Sequence, residues 1–497
     1  MADLFKNFIG GKWLRAKSDA TFENRNPANR DDLIGVFPAS TAEDVDAAVQ
    51  AAKSAFATWR RVPAPKRGEL LYRVGELLRN HKEEIARGMT REMGKILKET
   101  RGDVQEGIDT AFYVAGEGRR LFGETTPAEL PDKFAMSVRM PVGVCALITP
   151  WNFPVVIPTW KMFPALLCGN TVVLKPAEDT PASAARLVEI LAEAGMPPGV
   201  VNLVHGRGEE AGAALVRHPD VQLVSFTGSA AVGREIASVG GQLLKRVSLE
   251  LGGKNAQIVM EDADLELALE GALWGAFGTT GQRCTATSRL VVHERVHDRF
   301  VKMVCDRADA LRLGPGLDPK TEVGPLINED ARKKVDYYVG VGRDEGATVL
   351  IGGKAATGKG LDRGWFYRPT VLGGVKAGMR VEQEEIFGPV LSVIKVGSLD
   401  EAIRVNNGVK YGLSSSLYTR DVIGAFRAMG ELDTGITYVN APTIGAEAHL
   451  PFGGVKQTGN GHREGGWEVY DFYSETKVIY VDFSGKLQRA QIDTEGQ

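Results

Sequence analysis

Cys284 stands in Gly281-Gln-Arg-Cys284, after a run rich in small residues. A lone cysteine is commonly a small buried hydrophobe. A glycine loop, an adjacent Arg283 to favour thiolate, and no neighbouring apolar run fit a nucleophile instead. Cys145, Cys168 and Cys305 sit in apolar strand or helix patterns and read as core. Gly228-Ser-Ala-Ala-Val-Gly233 follows an apolar strand pattern and opens a helical one. Glycine there would let a pyrophosphate approach the free N–H groups of a helix N-terminus; a tight strand–helix turn is the plain alternative. Gly206-Arg-Gly208-Glu-Glu-Ala-Gly212 comes within one residue of the dinucleotide fingerprint, but Glu209 and Glu210 would repel phosphate, so it reads as structural. Glu250 lies about twenty residues beyond the glycine turn, where such a domain keeps its ribose-binding acid. It also enters Leu251-Gly252-Gly253, where backbone can pass close to a ligand and a carboxylate can act as general base for water. The residues alone leave both readings open. Lys175 and Glu178 follow a strand end, and Glu385-Ile-Phe387 sets an acid beside an aromatic ring; each suits a ribose or a flat ring, or merely a turn. His293-Glu-Arg-Val-His297 matches the zinc-protease signature, which needs both histidines on one helix. Here His293 ends the strand pattern SRLVVH and the helical pattern starts at Val296, so the rings should diverge and no metal is expected.

The elements that must carry these residues alternate. VGVCALI (142–148), TVVLK (171–175), VVNLV (200–204), VQLVSF (221–226) and RVSLEL (246–251) read as strands, with helices between them. Continuous apolar strands joined by helices predict right-handed parallel crossovers and a doubly wound sheet. A second α/β series follows: NAQIVM, a helix from Asp264, SRLVV, a helix from about Val296 to Leu311, then strands near 390–396 and 435–439. Helical signals dominate the first part, with Thr41 and Asp44 resembling a capping box and Pro65 opening an amphipathic run. The apolar region from Val142 to Leu167 holds Pro150, Pro154, Pro158 and Pro164 besides Lys161, and reads as a buried loop and helix rather than a membrane span.

The composition is that of a globular soluble protein. A chain of 497 residues implies about three domains, and 43% hydrophobic with 25% charged residues excludes disordered and fibrous classes. Sixty Lys+Arg against 63 Asp+Glu leave −3, with no basic tract, so no nucleic-acid partner is expected. Four cysteines without C-x-x-C point to a reduced compartment, and the N-terminal stretch has no apolar core of signal-peptide length; a cytoplasmic protein is expected.

Seven motifs in order resemble the aldehyde dehydrogenase superfamily from about residue 5 to 480: PWNFP at 150–154, KPAE at 175–178, FTGS at 226–229, ELGGK at 250–254, GQRC at 281–284, EEIFGP at 384–389 and PFGG at 451–454. The resemblance implies a Rossmann-like cofactor domain (1–121 and 142–252), an α/β catalytic domain (253–465) and a small β oligomerisation arm (122–141 and 466–497), assembled as a dimer or tetramer. It implies Cys284 as nucleophile, giving a thiohemiacetal and then a thioester, with Asn152 in the oxyanion hole and Glu250 as the base that hydrolyses the thioester. Lys161 and Glu464 would be a proton-relay pair. NAD, rather than NADP, would lie along Pro150, Trp151, Lys175, Glu178, Gly228, Ser229, Gly233, Leu251, Glu385 and Phe387; the Glu178 carboxylate repels a 2′-phosphate. Phe153, Trp160 and Phe452 would line an apolar aldehyde tunnel. Arg283 and Pro442-Thr-Ile-Gly-Ala-Glu447 are similar to members that oxidise carboxylated semialdehydes, α-ketoglutaric and aminoadipic semialdehyde among them. Arg283 would then pair with a distal carboxylate, or else support the thiolate or a structural salt bridge. The rival functions are acyl transfer to coenzyme A, which the glutamate at 250 argues against, a zinc hydrolase built on His293 and His297, and a non-catalytic protein that keeps the fold.

Overall fold

The expected parallel strands lie side by side. In the computed structural model, which describes residues 3–492, Arg246–Glu250, Leu223–Thr227, Val144–Ile148, Thr171–Lys175 and Val201–Leu203 are neighbours in that order and all pair in parallel. Val144–Ile148, Thr171–Lys175 and Val201–Leu203 are buried at every residue, as parallel strands covered on both faces must be. Alternate side chains divide the core. Cys145 and Leu147 join Phe163, Leu166 and Leu187 on one face, while Val144 and Ala146 join Val45, Val49 and Ile236 on the other. Two short strands absent from the sequence reading, Asn7–Ile9 and Lys12–Leu14, extend the sheet antiparallel to seven strands. At three residues each they are too short to show a period.

The chain builds this sheet outward from Val144–Ile148 in one direction, then returns to lay Leu223–Thr227 on its other side. The segments leaving these two strands therefore part and open a crevice at their carboxyl ends. One carries Pro150, Trp151 and Asn152 into the helix Val156–Cys168; the other carries Gly228 and Ser229 into the helix Ala230–Gln242. The former helix is buried throughout, so the apolar region through Leu167 is core. No helix among the described residues is long and apolar enough to cross a membrane.

The second sheet also has seven strands, in the order Thr348–Ile351, Thr370–Gly373, Val390–Val396, Thr287–His293, Asn255–Val259, Ser414–Tyr418, Ile436–Val439, parallel except at the first pair. A third sheet joins Thr125–Pro127, Lys133–Pro141 and Ser474–Asp482, all antiparallel. Residues 1–2 and 493–497, the ends of the expected domain ranges, lie outside the described residues.

Candidate active site

Cys284 is brought into place by a constrained turn. After the helix Leu265–Phe277 the chain passes through Gly278–Gly281, where Thr279, Thr280 and Gly281 take φ of 51°, 57° and 69°. Only glycine fits at 281, because a Cβ there would lie 2.2 Å from the Gly388 carbonyl oxygen. The backbone beyond is pinned: Asn255 Nδ2 donates to the Cys284 carbonyl at 2.8 Å and Asn152 Nδ2 donates to the Gln282 carbonyl at 3.1 Å. Asn152 is itself buried, from the opposite side of the crevice.

Two cavities meet at this sulfur. The first is lined by Cys284 with Glu250, Phe153, Trp160, Arg283, Phe452 and Glu464. The second is lined by Cys284 with Pro150, Trp151, Asn152, Gly228, Ser229, Leu251, Glu385 and Phe387. Thr227, Ile157 and Leu251 face both. Apolar walls dominate the first: Trp160 and Phe452 meet at a tilt, 4.8 Å between ring centroids, within a cluster that includes Val156, Ile157 and Leu413, and Cys284 packs on it. The expectation that no apolar surface surrounds this cysteine is therefore corrected; the apolar residues come from distant segments. Burial pushes the thiol up to about 12, with Glu250 and then Glu385 adding to it. Arg283 is held at the wall by other partners. Its Nε donates to Thr279 Oγ1 at 2.8 Å and its Nη2 to Glu99 Oε1 at 3.1 Å, with the rings of Phe153 and Trp274 on either hand. Of the readings given for Arg283, the structure shows the ion pair with Glu99 at the cavity wall.

Glu250 ends the strand Arg246–Glu250, buried, with Oε1 unpartnered. Burial raises its carboxyl well above the ordinary range, and the neighbouring Glu464 carboxylate raises it further. Glu464 Oε1 meets Lys161 Nζ at 2.5 Å, both groups being buried.

The second cavity has the furniture of a dinucleotide cleft. Ser229 caps the helix Ala230–Gln242, its Oγ accepting from Val232 N. Glu385 accepts from Gly253 N at 2.9 Å. Phe387, at φ 59°, holds a left-handed conformation that costs a bulky residue about 1–3 kcal/mol, and its ring meets Trp151 edge-on at 5.4 Å. Lys175 and Glu178 pair at 3.2 Å at the carboxyl edge of the same sheet, outside the cavity lining itself. Gly233 is turned away: a Cβ there would lie 2.5 Å from Leu251 Cδ2, so this glycine lets the helix approach Leu251 rather than a ligand approach the helix.

The lining residues that escaped the sequence reading include Glu106, Thr227 and Lys334. Glu106 faces the first cavity with Oε1 unpartnered, its carboxyl pushed by burial to about 8. Its signal was an acid three residues after Asp103 on the buried face of the helix Leu97–Glu117. Thr227 faces both cavities with its hydroxyl unpartnered. Lys334 enters the second cavity from the helix Glu329–Asp344, inside a basic run that reads as a solvated face. His293 and His297 do not converge: His293 Nε2 meets Glu261 at 2.9 Å, whereas His297 Nδ1 meets Asp298 at 2.7 Å.

A doubly wound sheet whose crevice runs into a chamber holding a cysteine defines an α/β oxidoreductase class. The chain belongs to the aldehyde dehydrogenase family, whose model matches residues 13–479. It is 41% identical over 477 residues to an alpha-ketoglutaric semialdehyde dehydrogenase of Bacillus subtilis, covering 96% of this chain and 98% of that one. It is 42% identical over 484 residues to an alpha-ketoglutarate semialdehyde dehydrogenase of Haloferax volcanii, covering 97% and 100%. Among solved structures it is similar to betaine aldehyde dehydrogenase of Staphylococcus aureus in complex with NAD+, with TM-score 0.95 and 36% identity over 97% of this chain and 95% of that one.

Proposed function

We propose that this enzyme oxidises a carboxylated semialdehyde of the α-ketoglutaric semialdehyde class to its acid, with NAD as acceptor. The observation that carries the reaction is the placement of one sulfur in both cavities, with Glu250 in the same chamber. Cys284, its proton given up to solvent, attacks the aldehyde carbon as thiolate to give a thiohemiacetal, while the Asn152 amide and the Cys284 N–H receive the developing oxyanion. Bound in the second cavity, NAD supplies the hydride acceptor, and the thiohemiacetal becomes a thioester on Cys284. Glu250 then takes a proton from water, which attacks the thioester carbonyl; Cys284 leaves as thiolate and the acid is released. The cleft suits a dinucleotide because the helix Ala230–Gln242 presents its N-terminus beside Gly228 and Ser229. Ser229 and Trp151 would contact the pyrophosphate, Glu385 and Phe387 would position the nicotinamide ribose and ring, and Lys175 with Glu178 would hold the adenosine ribose. Glu178 disfavours a 2′-phosphate, so kcat/KM with NAD should exceed that with NADP.

The carboxylated substrate draws support from the two semialdehyde dehydrogenases and from Arg283 at the chamber wall, one of whose guanidinium nitrogens, Nη1, is free of the bonds to Thr279 and Glu99. Kinetics over aliphatic aldehydes, betaine aldehyde and dicarboxylic semialdehydes test it: kcat/KM highest for a semialdehyde supports it, and a preference for uncharged aldehydes overturns it. Glu250→Gln tests the base. It should release one NADH per site and stall as thioester; steady turnover at the wild-type rate excludes Glu250.

Assembly through the third sheet is part of the same reading. Ser474–Asp482 is an edge strand with Val478 and Tyr480 exposed, and such edges pair with another copy. Four free cysteines agree with a cytoplasmic setting.

A further inference from the structure

We infer that Ser225 is a positioning residue for proton transfer: its hydroxyl holds Glu464 so that one carboxylate oxygen stays open toward Glu250. The inference rests on the reading of Glu250 as general base. Ser225 lies in the middle of Leu223–Thr227 and is fully buried, between strand neighbours Val224 and Phe226 that belong to the apolar core. A hydroxyl in that place is costly unless it is bonded.

Its contacts with Lys161 and Glu464 converge on one atom, while Tyr473 approaches the same hydroxyl. Lys161 Nζ donates to Ser225 Oγ at 2.9 Å, Ser225 Oγ donates to Glu464 Oε1 at 3.2 Å, and Lys161 Nζ reaches the same Oε1 at 2.5 Å. Glu464 Oε2 is buried without a partner, as is Glu250 Oε1, and both carboxyls line the reaction chamber. The backbone of Glu464 is clamped to Phe452 by paired hydrogen bonds of 2.7 and 2.8 Å. Only the side-chain torsions are therefore left to decide which oxygen faces Glu250. An ammonium alone is a rotating point charge that can straddle both oxygens. The added hydroxyl makes the Oε1 side the better-bonded one and leaves Oε2 as the acceptor. The proton that Glu250 takes from water then passes to Glu464 Oε2: one O–H bond breaks, another forms, and no electrons change hands. The other titratable groups around this pair are Tyr473 and His462, which feel Glu464, and Arg463, which faces Glu250.

Donation from Ser225 fixes which oxygen of Glu464 is open to Glu250. Its loss should alter the pH profile of thioester hydrolysis, moving the rising limb to higher pH. The experiment is rapid mixing of Ser225→Ala and Ser225→Thr with aldehyde and NAD, reading NADH formation and acid release separately across pH. In Ser225→Ala, NADH formation should keep its rate, acid release should slow by about tenfold or more, and the limb should move upward; threonine, which keeps the hydroxyl, should restore both. An unshifted limb, equal slowing of the two steps, or failure of threonine to rescue overturns the inference. Steady turnover by Glu250→Gln would instead remove the parent reading. Stalling of Glu250→Gln alongside an unaffected Ser225→Ala removes only Ser225.

Discussion

Cys284 is a thiol held up at about 12 by its surroundings, and only its thiolate is nucleophilic. NADH formation should therefore speed up as pH rises, since each step in pH enlarges the reactive fraction; a rate falling from neutral to alkaline pH contradicts this. Cys284→Ser should lose dinucleotide reduction, whereas Asn152→Ala should lose about 3 kcal/mol of transition-state stabilisation, roughly a hundredfold in kcat. Cys284 stood out as a candidate from its local glycine setting, whereas Glu250 kept two readings and Asn152 drew its role only from the family resemblance. The direction of Arg283 was not legible, because Glu99 comes from a helix some 180 positions away. Glu106 shows the same limit. It reads as an ordinary helix acid until the fold turns it into the chamber. Its raised carboxyl makes a stability prediction: the unfolded chain ionises near 4.5 while the folded one holds its proton to about 8, so wild-type stability is fullest below 4.5 and drains away up to about 8. Glu106→Gln should gain Tm over wild type across that window and hold the gain above it.

At the scale of elements, the helix Val156–Cys168 ties the site to the rest of the chain. Asp103 Oδ1 accepts from Val156 N at 2.8 Å, capping the helix, while its Oδ2 meets Lys95 Nζ at 2.7 Å with both groups fully buried. Lys95 Nζ in turn lies 3.8 Å above the Phe153 ring of the chamber. Asp103→Ala strands an ammonium in the core and should cost about 3–5 kcal/mol in urea unfolding, with kcat falling because the segment bearing Asn152 loses its anchor. The five core strands of the cofactor sheet were readable within a residue or two, since parallel strands are apolar on both faces. The short strands Asn7–Ile9 and Lys12–Leu14 were not, because pairing with Val201–Leu203 and each other, rather than any periodic pattern, makes them strands.

For the whole molecule, two equilibria follow. NAD at a hundred times its Kd should stabilise the fold by about 2.7 kcal/mol, visible as a rise in Tm that NADP at equal concentration does not match. Replacing Val478 and Tyr480 by lysine on the Ser474–Asp482 strand should give smaller species by sedimentation with unchanged secondary structure, because charge on an exposed edge blocks strand pairing. An unaltered assembly would place the interface elsewhere.

The order of strands and helices, and the cysteine and acids proposed for the chemistry, are written in the linear chain, because apolar period, glycine turns and residue chemistry depend on near neighbours. The partner of Arg283, the role of Gly233 in packing against Leu251, and the presence of Glu106, Thr227 and Lys334 at the cavities were decided only by tertiary structure. Those are matters of which distant segments share a volume, and burial there sets both the direction of each side chain and the energy of its proton.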